Sequence, residues 1–201
     1  MPQGQRNNRK ARADTREYAQ VKQRMVNAAI ELMEGDGFRK FRFEELAEKV
    51  GYNRATLYRY FDSKQELTTE VMMTLMQEIT LDIISKTAGN RVSRETFTTA
   101  LFDIIKKLHE EPRYAIVMDA QNIETFARLT HEYFSGITTT MLEKFLINEP
   151  VHPLLREGIR VSDAVPWLMH QIISYGFLGI PGDTEAQQKQ YLEKMVVAVI
   201  L

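Results

Sequence analysis

The segment Phe43-Glu-Glu-Leu-Ala-Glu-Lys-Val-Gly-Tyr-Asn-Arg-Ala-Thr-Leu-Tyr-Arg-Tyr-Phe61 holds two short helical patterns separated by a tight turn. Ala47 is small enough to let a second helix cross closely. Gly51, four residues later, can take the backbone angles that a sharp turn needs. Leu46, Val50, Leu57 and Phe61 fall where they can seal a small core between the two helices. This is the spacing of a helix-turn-helix, whose second helix enters the DNA major groove. Around the axis of that helix, Ala55, Thr56 and Arg59 point away from Leu57 and Phe61, and Tyr58 and Tyr60 sit on the flanks. Arg54 falls nearer the inner side, but it stands in the first turn, where a long side chain can splay outward. A face that is small, polar, aromatic and basic suits base edges, thymine methyls and phosphates.

The surrounding chain is helical in pattern. Apolar residues recur at three- and four-residue spacings, no stretch alternates as a strand does, and proline is absent from Gln3 to Glu111. Upstream, a helix over about Thr15–Gly35 carries Tyr18, Val21, Met25, Ala28, Ala29, Leu32 and Met33 as one stripe, with Gly35 and Gly37 as stops. Downstream, Ser63 and Glu66 form a capping box that opens a long helix to about Lys86, where Thr87-Ala-Gly-Asn90 breaks it. Ser93 caps a helix that reaches Glu111. One or two helices fill Arg113–Asn148, divided near Asn122, and Glu149-Pro-Val-His-Pro153 is a loop because two prolines forbid a continuous helix. A helix over about Ser162–Gly179 carries Pro166 in its first turn. Thr184 and Gln187 cap a last helix to the C-terminus.

Composition narrows the function classes. The 201 residues carry a net charge of −1 and are 44% hydrophobic, which is enough for a real core, and they include no cysteine. Disulfide scaffolds and thiolate chemistry are excluded. No apolar run approaches the ~20 residues of a membrane span. Met1–Arg24 is polar and basic, unlike a secretory leader, so a cytoplasmic location is expected. The charge is unevenly placed: residues 1–64 sum to +5 and residues 65–201 to −6. Arg6, Arg9, Lys10 and Arg12 precede any acidic residue. An anionic partner for the N-terminal part follows, with double-stranded DNA as the candidate.

The helix-turn-helix segment resembles the DNA-binding domain of the TetR family of bacterial transcriptional regulators. The resemblance rests on Ala28-Ala29-Ile30-Glu31-Leu32, Gly37-Phe38, Glu45-Leu46-Ala47-Glu48-Lys49-Val50-Gly51, Arg54-Ala55-Thr56-Leu57-Tyr58-Arg59-Tyr60-Phe61 and Ser63-Lys64-Gln65-Glu66-Leu67. It implies an all-helical homodimer of about nine helices per chain, with the second and third as reading head. It implies that Arg54 and Ala55 touch bases and that Thr56, Tyr58, Tyr60 and Lys64 hold phosphates. It implies a basic flexible arm over 1–14, a DNA-binding domain over 15–66 and an effector-binding and dimerisation domain over 67–201. One departure stands out. Arg42 occupies the place before the second helix where the family carries a threonine, and it cannot accept a capping hydrogen bond. Arg42 is expected on a phosphate or a groove edge instead.

In the C-terminal part, two apolar stripes suit helix packing between protomers. Val165, Met169, Ile172 and Phe177 belong to the first, and Leu192, Met195, Val196 and Val199 to the second. The wholly apolar run Met195–Leu201 is expected to be buried. Met76, Phe102, Tyr114, Met118, Phe126, Tyr133, Phe134, Trp167 and His170 are the candidate lining of a pocket for a small hydrophobic effector. The reading is therefore a ligand-responsive repressor that binds a palindromic operator as a dimer. The alternative is a helical interaction protein with an unused helix-turn-helix, which should have lost its basic face. An enzyme is disfavoured. His109, His131, His152 and His170 lack metal-ligand spacing, and no Gly-rich phosphate loop or nucleophile elbow is present, so no metal, cofactor or catalytic residue is assigned.

Overall fold

The computed structural model describes residues 3–36, 40–87, 93–129 and 155–201; they form helices and turns, with no strand among them. They gather into two compact units, Met1–Thr74 and Leu75–Leu201.

The first unit holds α1 (Gln3–Asp36), α2 (Phe43–Val50), α3 (Arg54–Leu57) and the start of α4 (Lys64–Thr87). α1 begins far ahead of the expected Thr15, so the stretch read as a flexible arm carries helical backbone from Gln3 onward. Gln, Arg, Lys and Ala dominate Gln5–Ala13 without a proline, and these residues lose little on entering a helix. α2 ends where expected. Gly51 adopts φ 73° and ψ 28°, and its amide donates back to the Ala47 and Glu48 carbonyls. A Cβ added at Gly51 would meet nothing within 4 Å, so only the left-handed backbone demands glycine. Gly51→Val should therefore destabilise the chain by about 1–2 kcal/mol. Denaturant unfolding of the full chain measures this, and an unchanged midpoint would contradict it.

α3 is capped by Asn53, whose side chain accepts from the Thr56 amide at 2.8 Å. The regular helix closes at Leu57 rather than running to Phe61. The Arg59 and Tyr60 amides then bond three residues back, and the Phe61 amide reaches the Leu57 carbonyl at 3.0 Å. Such tighter bonds finish a short helix while turning its last side chain inward. The cap of α4 is nearly as read: Ser63 Oγ accepts from the Glu66 amide at 3.1 Å, while the Glu66 carboxylate accepts from the Asp62 amide at 2.6 Å. Met25, Leu46, Leu57, Phe61 and Leu67 are completely buried. Val50 is only half-buried, whereas Phe41 and Phe43 lie in the core.

The second unit holds the rest of α4, α5 (Arg94–Glu110), α6 (Ile123–Leu129), α7 (Val161–Leu178), α8 (Glu185–Leu192) and α9 (Ala198–Ile200). Capping boxes at Ser93–Thr96 and Thr184–Gln187 start α5 and α8. α5 packs on both α7 and α8. α7 starts at Val161, so Pro166 stands in its second turn, not its first. There the missing N–H denies the Ser162 carbonyl its helical partner. Between α8 and α9, Glu193–Val197 forms a π turn, and the Ala198 amide donates to the Glu193 carbonyl five residues back. The terminal apolar run is only partly buried: Val196, Val197 and Ile200 are inside, but Met195 is 55% and Val199 42% exposed. Gly37, the Ala88–Asn90 part of the predicted break, the helices expected after Leu129 and the Glu149–Pro153 loop lie outside the described residues.

Candidate nucleic-acid interface

α2 and α3 meet through Leu46, Ala47 and Leu57, and this crossing brings their polar faces together on one side. Phe43, in the first turn of α2, stacks under Tyr58 with ring centroids 5.2 Å apart and planes 17° apart. Tyr58 is held in this way while remaining 43% exposed. Its hydroxyl accepts from Arg54 Nη2 at 3.1 Å, and the Arg54 guanidinium lies 5.5 Å from the Tyr58 ring centroid. From the other side, Glu44 Oε1 is 2.6 Å from Arg54 Nη1. The hydroxyl of Tyr58 and the charge of Glu44 both raise the Arg54 pKa, so this side chain is fully cationic. Thus Arg54, which helical geometry alone places near the inner side, is drawn outward by one partner from each helix.

The other predicted contacts are distributed as follows. Ala55 and Arg59 are exposed beside Arg54. Thr56 is half-buried, with its hydroxyl donating to Asn53 Oδ1 at 3.0 Å. Tyr60 is half-buried and stacks on Tyr18 at 4.6 Å, and the Tyr18 hydroxyl donates to the Arg59 carbonyl at 3.3 Å. Arg42 sits at the N-cap of α2 in extended backbone and makes no capping bond. Its Nη2 pairs instead with Glu45 at 2.9 Å. Lys64 donates to the Phe41 carbonyl at 3.0 Å at the base of α4. Behind this face, Lys22 of α1 pairs with Glu70 at 2.7 Å and Glu66 at 3.6 Å. Burial pulls its pKa down, but the hydrogen bond and charge of Glu70, with the charge of Glu66, outweigh that and leave it raised. α1 and α4 are thereby tied within the unit. The sequence reading missed Glu44, Asn53, Phe43 and Lys22; only Asn53 had a local signal, as a polar residue just before a helical run.

In the second unit, a groove of about 370 Å³ opens where α5 and α7 end. Met118 and Phe177 line it, with His109, Glu110 and Glu111. His109 Nδ1 lies 3.1 Å from the Gly176 carbonyl. A Cβ at Gly176 would sit 2.9 Å from Met118 Sδ, and the flexible Met118 side chain would have to give way. Leu108, Pro112 and Ala115 complete the lining, and of the described candidate pocket residues only Met118 belongs to this groove. Of the other candidate lining residues, Met76, Phe102, Tyr114 and Phe126 are buried and His170 is exposed. Trp167 is half-buried, and its Nε1 has no hydrogen-bond partner among the described residues. Tyr133 and Phe134 lie outside them.

The candidate interface residues divide too. Val165, Met169, Ile172, Leu192 and Val196 are buried within one chain, Phe177 is half-buried, and Met195 and Val199 remain exposed with Leu178 at 81%. Tyr175 and Tyr191 join α7 to α8 with a 3.3 Å hydroxyl–hydroxyl bond. Burial first, and that bond second, push the Tyr175 hydroxyl up to about 12. No metal-holding cluster of His, Asp or Glu occurs among the described residues, and no described helix is long and apolar enough to cross a membrane.

Comparison with known proteins places this geometry. Residues 25–71 match the family described as bacterial regulatory proteins, tetR family. The uncharacterized HTH-type transcriptional regulator Rv1255c of Mycobacterium tuberculosis is 21% identical over 179 residues, covering 88% of this chain and 84% of that protein. The HTH-type transcriptional regulator SrpR of Pseudomonas putida is 26% identical over 95 residues, covering 47% of this chain and 44% of SrpR. Among solved structures, a TetR-family transcriptional regulator from Pectobacterium atrosepticum superposes with a TM-score of 0.73 at 12% identity, covering 92% of this chain and 96% of that one. RolR in complex with resorcinol superposes with a TM-score of 0.70 at 14% identity, covering 92% and 90%. The all-helical fold of the described residues, the crossing of α2 and α3, and the match over residues 25–71 give this chain a helix-turn-helix DNA-binding domain of the kind found in the tetR family of bacterial regulatory proteins.

Proposed function

We propose that the protein is a ligand-responsive repressor that binds a palindromic operator as a homodimer and leaves it when a small hydrophobic effector binds. The observation that carries this reading is the face of α3 and the turn that closes it: Arg54, Ala55, Tyr58 and Arg59 stand exposed, anchored by the buried Leu57 and Phe61. A rigid base under exposed polar groups is what base readout requires. Residues 15–66 form the DNA-binding part and 67–201 the sensing and dimerising part. Two-fold symmetry sets two such faces about one DNA turn apart, ~34–36 Å. Leu178, Met195 and Val199, left exposed within one chain, supply apolar surface for the partner. RolR, of similar fold, holds resorcinol, which supports a small-molecule site in the second unit. α4 begins beside the reading head and continues into the second unit, so it is the continuous element through which an effector would shift the DNA-competent population. The whole operates in the cytoplasm.

Fluorescence anisotropy with labelled DNA from the gene's own upstream region, against scrambled DNA, tests the operator claim. Preferential binding at physiological salt is expected. Equal, weak binding to both would remove it. Trp167 is the single tryptophan and is half-buried in α7, so it reports on the sensor without a label. An effector that releases the DNA is expected to change Trp167 emission at the same concentrations. Release without any change would move the effector site away from α7.

A further inference from the structure

We propose that Glu44 is a specificity-determining residue of the reading head: it positions the Arg54 guanidinium to read a guanine in each half-site. The proposal rests on the operator-reading function above and names a residue that this function leaves without a role. Glu44 belongs to α2 and Arg54 to the first turn of α3, and their side chains bridge the turn at 2.6 Å. Tyr58 takes a second nitrogen of the same guanidinium at 3.1 Å, and the Tyr58 ring rests on the buried Phe43. The guanidinium is therefore held at two corners, and one of its two supports, Tyr58, rests in turn on a core residue.

Stability does not explain the pair. Both side chains are more than half exposed, at 58% and 56%, and ion pairs in such settings add little to folding. A carboxylate on a surface that approaches phosphates also opposes binding by like-charge repulsion. What the carboxylate does supply is orientation. An arginine has five N–H donors, and those not given to Glu44 and Tyr58 keep a fixed direction. It also lowers the local positive charge. A phosphate draws an arginine largely by charge, whereas the guanine edge draws it through two directed acceptors, O6 and N7. A guanidinium that keeps its charge, partly offset by Glu44, but is held in a fixed direction therefore favours guanine over phosphate. Arg42 gives both Nε and Nη2 to Glu45 three residues on, and is held from its own helix rather than from a second one.

Binding-site selection from a random duplex library tests this with the full-length wild type, Glu44→Gln, Glu44→Asp, Arg54→Ala and the double variant Glu44→Gln/Arg54→Ala. The wild type should enrich a palindromic site with one guanine column per half-site that Arg54→Ala loses. Glu44→Gln should lose the same column, lowering discrimination there about tenfold. The double variant should lose nothing more, and Glu44→Asp, which keeps the charge, should recover part of the preference. If Glu44→Gln enriches the wild-type site unchanged, or only tightens binding to all sequences alike, the proposal falls and Glu44 acts by charge alone. If the two substitutions degrade different columns, it also falls. If the wild type enriches no site, operator reading itself fails, and this proposal fails with it.

Discussion

Phe61→Ala is expected to abolish DNA binding without touching any residue that faces DNA. Phe61, which follows α3 in the chain, is completely buried, and Lys22 Nζ of α1 lies 5.3 Å from its ring centroid. Removing the ring leaves a cavity that short helices braced on every side cannot collapse to fill. Such truncations cost about 3–5 kcal/mol, a large share of the ~5–15 kcal/mol that stabilises a typical domain. α3 is only one turn long and has no stability of its own, so its orientation disappears with the core beneath it. The expected result is a clearly lowered melting temperature by circular dichroism and operator affinity reduced beyond detection. Phe61→Leu, which restores most of the volume, should bind. A Phe61→Ala protein that melts and binds like the wild type would show that the reading head is braced elsewhere.

Salt dependence carries the second large effect. If Arg54 takes a base and Arg42, Arg59 and Lys64 each take a phosphate, as proposed, a dimer makes roughly six phosphate contacts. Operator affinity should then fall about a thousandfold between 50 and 200 mM salt. Arg59→Gln should reduce the slope of log affinity against log salt by about 2, since each dimer loses two phosphate contacts. Anisotropy titrations at four or five salt concentrations measure both slopes. An Arg59→Gln slope equal to that of the wild type would mean that Arg59 does not engage the backbone.

Features that depend on a few neighbouring residues were readable from the chain. Ser63, Ser93 and Thr184 all cap helices, because a hydroxyl and a backbone amide three residues on meet wherever a helix starts. Gly51 was readable for the same reason. The buried pattern around Leu46, Leu57 and Phe61 followed from spacing. What the chain did not disclose depends on how separate helices cross. Glu44 and Arg54 are ten positions apart, and only the crossing of α2 and α3 decides that they meet. The stripes of α7 and α8 were correctly apolar, but an apolar stripe does not name its partner. Leu192 and Val196 are buried inside one chain, where α8 and the π turn pack on α5. The polar part of the groove lining was equally hidden, since His109, Glu110 and Glu111 read as the polar end of a helix until α7 ends beside them.

The π turn at Glu193–Val197 makes the tail of this chain a counting problem. It accommodates one residue more than an ordinary helical turn, so everything after it is rotated by about 100° relative to an uninterrupted helix. Val196 and Val197, adjacent in sequence within this turn, are both buried. A relative that lacks the extra residue would present a different side to its partner from an almost identical string of Val, Ile and Leu. Alignments that ignore this offset would pair Val199 with a residue about 100° away around the helix. Among such regulators, then, one inserted or deleted residue here could change which chains pair, while leaving every DNA-facing group in place.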